Sequence, residues 1–189
     1  MIPPNLRFLL DDAEDDWHYP EKFCLIHSRM MLGSITDWPA LVRKSFQQLR
    51  PGGYLEFQDV GKILSDDNSF TLDPPSCDLA RWFLAVAEAF DVLGQSILIA
   101  PDHKARLIDA GFTDVTMLEF KWPIGEWPRD PFFKEIGFWN RVNTLCVLES
   151  LALAPLTRAL GWSMDRVQQL LEGARRDIYN RSIHAYLQV

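Results

Sequence analysis

Apolar positions fall into two rhythms along the chain. Leu6 to Leu10 is a short, mostly apolar run preceded by Pro3-Pro4 and stopped by Asp11-Asp12, the pattern of a buried parallel strand whose C-terminal end opens to solvent. Phe23 to His27 (FCLIH) repeats it. From Asp37, a helix N-cap candidate, Trp38 and Pro39 occupy a first turn, and Leu41, Val42, Phe46 and Leu49 recur at helical spacing, which predicts a helix ending at Arg50 before Pro51. Gly52-Gly53 then suits a tight turn and Tyr54 to Phe57 a third strand. Strand, helix, strand is the parallel crossover unit of an α/β fold.

Ser65 to Pro75 is polar and turn-rich, hence a loop, and Asp78 to Leu93 carries Trp82, Phe83, Val86 and Phe90 at the spacing of an amphipathic helix. Asp102 to Ala110 predicts a shorter helix closed by Gly111. Within Phe112 to Trp122 the alternating VTMLEF predicts a strand, and the prolines of WPIGEWPRDP mark an irregular connection. Helices are predicted over Phe132 to Leu153, Pro155 to Leu160 and Ser163 to Asn180, the last capped by Ser163, before a closing strand in SIHAYLQV.

With 189 residues, 48% of them hydrophobic and 12% aromatic, the chain suits one domain with a buried core. A net charge of -7 without clustered Lys and Arg argues against nucleic-acid or anionic-membrane binding and favours a small-molecule or protein partner. Cys24, Cys77 and Cys146 have neither metal-ligand nor disulfide-framework spacing, so no metal is expected and the thiols are expected reduced and buried. The first residues read as no secretory signal and no apolar run reaches spanning length, so a cytoplasmic protein is expected.

Polar candidates gather where strands end, the rim at which open α/β sheets bind ligands. His27 and Arg29 follow the second strand, and His27 can exchange protons near neutral pH. Gln58 and Asp59 end the third. Each has a plainer reading: His27 bonded to a neighbouring loop, Arg29 paired with Asp37 or Asp59, Gln58 and Asp59 capping a loop. His184 on the last strand reads as a structural group.

Seven segments in this order, PPNLRFLLDDAEDDW, FCLIHSRMMLGSITDW, LRPGGYLEFQDV, GFTDV, PIGEWPRDPFFKEIG, LTRALGWS and SIHAYLQV, resemble the fungal methyltransferases related to the global regulator of secondary metabolism, the LaeA-like family. The resemblance implies a class I methyltransferase fold, a Rossmann-like mixed sheet with helices on both faces, here incomplete, with an inserted helical lid at roughly 123–180 in a single domain of residues 1–189. It also implies S-adenosylmethionine as methyl donor, with Asp11, Asp12 and Ala13 at the adenine: an acid accepts from the exocyclic amine and a backbone amide faces the ring. The plainer reading, preferred because the rest of a donor site is missing, is that those acids end a strand and cap the next turn.

The glycine-rich loop that should hold the donor's methionine end is not found. Ten residues precede Asp11, while a strand, a glycine loop, a helix and a second strand need about 40. An N-terminally truncated domain without cofactor is therefore expected. It would use the inherited pocket for cyclisation, isomerisation or a pericyclic step on an apolar molecule, with His27, Arg29 and Asp59 as catalytic residues and Trp82, Trp122, Trp127, Phe133, Trp139 and Gln58 lining the pocket. Two alternatives stand beside it: methyl transfer by a fragment or subunit that needs a partner, and a non-catalytic scaffold. The strand edge left bare by truncation predicts a homodimer.

Overall fold

The structure is a computed structural model that describes Pro3 and residues 5–189. Strand β1 (Phe23–Arg29) and strand β2 (Leu49–Gln58) pair in parallel across helix α1 (Trp38–Gln48), the predicted crossover unit. Asp37 accepts the Ala40 amide at 2.8 Å and Pro39 sits in the first turn. Trp38, Leu41 and Val42 are buried on the inner face.

The helix ends at Gln48, two residues before Arg50, and the strand begins at once. Phe23 pairs with Leu49 but Leu25 with Tyr54, so the Pro51-Gly52-Gly53 turn is a bulge inside β2 and not its entrance. Gly52 has φ +79°, and a Cβ on Gly53 would lie 3.2 Å from the Cys24 carbonyl oxygen.

A separate antiparallel sheet joins β3 (Ile63–Leu64), β4 (Lys121–Pro123) and β5 (Tyr186–Gln188) in the order β3-β5-β4. Over it lie α2 (Asp78–Val92), α4 (Pro131–Leu148), α5 (Leu153–Arg158) and α6 (Met164–Tyr179); α3 (His103–Asp109) packs against α1 instead. Leu79, Val86, Leu148, Leu156, Val167 and Leu171 fill the main core, each worth about 1.5–3 kcal/mol of burial. A smaller core joins Ile35, Trp38 and Leu41 to Ala13, Trp17 and Phe57.

The longer motifs acquire physical reasons. In WPRDP, Trp127 donates to the Ala185 carbonyl at 3.0 Å, Asp130 caps α4 by accepting the Phe132 amide at 2.9 Å, and Pro131 takes the first helical position. In GWS, Gly161 has φ +67°, Trp162 lies under the Arg166 guanidinium and Ser163 accepts the Arg166 amide. Close approach of helices is set by missing side chains: a Cβ on Gly173 would lie 2.0 Å from Asp78 Oδ2, and one on Gly137 the same distance from the Gly125 carbonyl oxygen.

Several expectations are corrected. Leu6 to Leu10 forms no strand; Phe8 is 76% exposed and no described strand edge pairs with it. VTMLEF pairs with no described strand before Phe120; it and β2 both line one open groove. The expected single mixed sheet is thereby divided into a parallel pair and an antiparallel triple. Cys24 and Cys146 are exposed and Cys77 half-buried, so the thiols are free but not hidden. Among the described residues, no helix is long and apolar enough to cross a membrane.

Candidate functional site

A cavity of about 1150 Å³ lies between the ends of the strands and the helical layer. One face of α4 forms a wall, with Phe132, Glu135, Ile136, Trp139, Asn140, Asn143, Thr144 and Val147 recurring every three or four residues. Trp82, Phe83, Val86 and Phe90 of α2, Trp122 and Ile124, and Arg29, Met30 and Gly61 at and beyond the strand ends complete the lining.

Of the pocket residues expected from sequence, Trp82, Trp122 and Trp139 line this cavity. Trp82 is buried and its indole N–H donates to the Leu148 carbonyl at 3.0 Å, which fixes the ring as wall; Trp139 is 62% exposed and free to meet a ligand. Trp127 lies elsewhere, bonded to Ala185 and stacked near His184 with ring centroids 5.0 Å apart. Phe133 is not among the lining residues; its neighbour Phe132 is.

The rim residues separate. Arg29 reaches both this cavity and a narrower groove beside β2, and has no side-chain partner among the described residues. Asp59 is buried and accepts the Met31 amide at 2.9 Å, tying the end of β2 to the turn after β1, where Met30 has φ 55° and donates to the Gln58 carbonyl. Gln58 lines the groove and donates to Glu56. His27 is placed away from the cavity: its ring meets Glu56 at 2.8 Å, directly opposite on β2, and both side chains are partly exposed. Bonds from Gln58 first and His27 second hold the Glu56 carboxyl below its ordinary range.

Two residues escaped the sequence reading. His103 of α3 is buried between the rings of Trp38 and Phe57, with its Nε2 3.7 Å from Asp59 Oδ2. Asn140 is buried in the α4 wall and its amide donates to the Trp122 and Pro123 carbonyls, 3.1 Å each. Only the i, i+4 stripe on α4 offered a hint of Asn140; nothing local marked His103.

Asp11 and Asp12 are exposed, and among the described residues their carboxylates accept only nearby backbone amides, of Asp12 and Glu14 respectively. Ala13, like Trp17, Met31 and Leu32, packs against the cluster of Ile35, Trp38 and Leu41, and its carbonyl accepts the Trp17 indole N–H at 3.1 Å. Glu14 secures this corner by accepting the Thr36 amide at 3.0 Å, the Thr36 hydroxyl at 2.8 Å and the Asp37 amide at 2.8 Å. Those bonds, the Asp37 amide foremost, hold the Glu14 carboxyl below its ordinary range. Lys44 donates to the carbonyls of Ala13, Glu14 and Asp15.

This corner fits the adenine end of S-adenosylmethionine: exposed acids can accept from an exocyclic amine, and Ala13, Met31 and Leu32 offer an apolar shelf. The methionine end has no such match. G-x-G-x-x-G does not occur in these 189 residues, and Gly52-Gly53 is a bulge within a strand.

The model of a methyltransferase domain matches residues 2–116. Among curated relatives, the methyltransferase pytC of Aspergillus terreus is 38% identical over 184 residues, covering 97% of this chain and 56% of that protein. The secondary metabolism regulator LAE1 of Cochliobolus heterostrophus is 39% identical over 191 residues, 98% of this chain and 61% of that protein. The protein-methionine methyltransferase laeA of Emericella nidulans is 32% identical over 191 residues, 97% and 49%. The chain thus spans about half the length of the curated relatives it matches.

These matches overturn the expectation of a protein without cofactor. A missing loop in 189 residues does not remove the donor from a family of methyltransferases whose members extend well beyond the matched region. The chain belongs to the methyltransferase-domain family and is similar to the fungal proteins pytC, LAE1 and laeA.

Proposed function

We propose that this chain supplies the acceptor pocket and the adenine-side wall of an S-adenosylmethionine-dependent methyltransferase acting on an apolar small molecule. The observation that carries the reading is the aromatic cavity of about 1150 Å³, which Arg29 and Met30 line at the C-terminal end of β1. Bound there, the donor supplies an electrophilic methyl group. The chain's own residues bury the acceptor between α2 and α4, exclude water, and hold the end of β1 in place through the Asp59 bond to Met31. Arg29, exposed at the end of β1, is placed to pair with an anionic oxygen on the acceptor.

The methionine end of the donor is held, in this reading, by polypeptide outside these 189 residues. The cyclase, isomerase or pericyclic expectation rested on loss of the donor, and no feature of the cavity favours it. His27 leaves the set of catalytic residues because its ring is committed to Glu56 on the sheet surface. The outer edge of β1, where Leu25 is exposed, is the surface we assign to a homodimer.

Titration with 2-naphthol, followed through quenching of tryptophan emission, tests the pocket. Trp139→Ala should weaken binding about tenfold, equivalent to the roughly 1.4 kcal/mol of one aromatic contact. Unchanged binding in both Trp139→Ala and Phe132→Ala would overturn the assignment.

A further inference from the structure

The two helices that line the cavity contribute different chemistry. From α2 come Trp82, Phe83, Val86 and Phe90, and the single polar group among them, the Trp82 N–H, is spent on the Leu148 carbonyl. From α4 come Glu135, Asn140, Asn143 and Thr144 among apolar neighbours. A purely hydrocarbon occupant would leave that polar stripe facing carbon.

Asn140 and Thr144 are the buried members of the stripe. Thr144 is satisfied within the helix, its hydroxyl donating to the Asn140 carbonyl at 2.7 Å. Asn140 is half satisfied. Gly137 brings α4 close to the segment after β4, with the Gly125 amide donating to the Gly137 carbonyl at 3.0 Å. One turn further along, the Asn140 side-chain nitrogen donates to the Trp122 and Pro123 carbonyls, 3.1 Å each. Backbone carbonyls only accept, so nitrogen must face them and the amide cannot be reversed. Oδ1 is thereby turned away from both carbonyls, and it is buried with no partner among the described residues.

Taking the cavity as the acceptor site of the proposed methyltransferase, we infer that Asn140 Oδ1 accepts a hydrogen bond from a hydroxyl or ring N–H of the molecule bound there. The substrate class is then a phenol or similar ring compound, apolar where it meets α2 and carrying a donor where it meets α4. Oδ1 is covered by the lining, so a side chain turns aside as the donor arrives, an ordinary scale of change on binding. The two bonds that Nδ2 already gives hold the oxygen in one direction and polarise it toward a third. Asn140 is a specificity-determining residue: an analogue of equal shape without the donor leaves a buried acceptor unpaired.

Titration with 2-naphthol and with 2-methoxynaphthalene, which keeps both rings and loses the O–H, tests the assignment. The parent chain should bind 2-naphthol about tenfold tighter. The Asn140 side-chain amide proton resonances should move downfield with 2-naphthol beyond any shift the methoxy compound causes, since the rings are common to both. In Asn140→Ala the preference should shrink to about twofold or less. Should that variant fail to fold, the ligand comparison and the amide shifts of the parent decide. Equal binding of the two ligands by the parent, with Trp139→Ala weakening both, would overturn the role of Asn140 and leave the cavity reading standing. A preference retained in Asn140→Ala, or Asn140 amide shifts equal for the two ligands, would overturn that role too. Binding of neither ligand would overturn the cavity reading and the role of Asn140 with it.

Discussion

Replacing Gly137 with alanine would place a methyl carbon 2.0 Å from the carbonyl oxygen of Gly125, with the Gly125 carbonyl carbon at 2.9 Å. Both obstacles are backbone, and neither can turn aside. Carbon and oxygen need about 3.3 Å, so α4 must retreat from the loop after β4 by about 1 Å. That retreat stretches the bond from the Gly125 amide to the Gly137 carbonyl, 3.0 Å, and the two 3.1 Å bonds from Asn140 to Trp122 and Pro123. Overpacking of about 1–3 kcal/mol and a lost hydrogen bond or two at about 1 kcal/mol each sum to about 3 kcal/mol.

For a domain of this size each kcal/mol moves Tm by about 2–4 °C, so Gly137→Ala should lower it by about 6–12 °C in thermal unfolding followed by circular dichroism. Gly94→Ala is the comparison: φ is +74° but nothing lies within 4 Å of the added carbon, so only backbone strain of about 1–2 kcal/mol is expected. Equal losses for the two variants, or a Gly137→Ala change under about 2 °C, would refute the claim that α4 is seated through this contact.

Further outcomes follow from single contacts. Glu14 has its folded pKa lowered from an ordinary 4.5, so its contribution to stability is present above 4.5 and lost as pH falls through the lower folded value; Glu14→Gln should cost about 1 kcal/mol at pH 7 and progressively less as pH falls below 4.5, by urea unfolding. Asp59→Ala strands the half-buried Met31 amide at a cost of about 1 kcal/mol, while Asp59→Asn keeps an acceptor and should cost less; equal losses would contradict the tie between β2 and the turn after β1. Light scattering of the purified chain is expected to give a dimer, and Leu25→Lys a monomer; a monomeric parent would remove the dimer assigned to the β1 edge.

The helices were legible because each one buries a stripe that recurs at its own period: α1, α2, α4, α5 and α6 fall within a few residues of their predicted spans, and Asp37 and Ser163 cap as read. Strands were less so, since a strand needs an edge as well as a pattern. VTMLEF alternates as a strand should, yet it pairs with no described strand before Phe120. Pro51-Gly52-Gly53 looked like a turn between elements because the sequence cannot tell a turn from a bulge whose flanks stay paired.

The same limit governed the site. Trp82, Trp122 and Trp139 were recognisable as aromatic mass near the lid, but which of seven tryptophans faces the cavity depends on packing directions that no local pattern carries. His27 was misplaced because its face of β1 is fixed by register with Glu56, and His103 was missed because its partners Trp38, Phe57 and Asp59 are brought to it only by the fold.

Donor binding at the Asp11–Ala13 corner tests the account most directly. In a titration of the chain with S-adenosylhomocysteine, followed by backbone amide chemical shifts, the account predicts perturbations at Asp11 to Ala13 and Met30 to Leu32, and none at Gly52-Gly53 or His184 to Val189. Silence of the first set at millimolar ligand, or a response confined to the second, would contradict it.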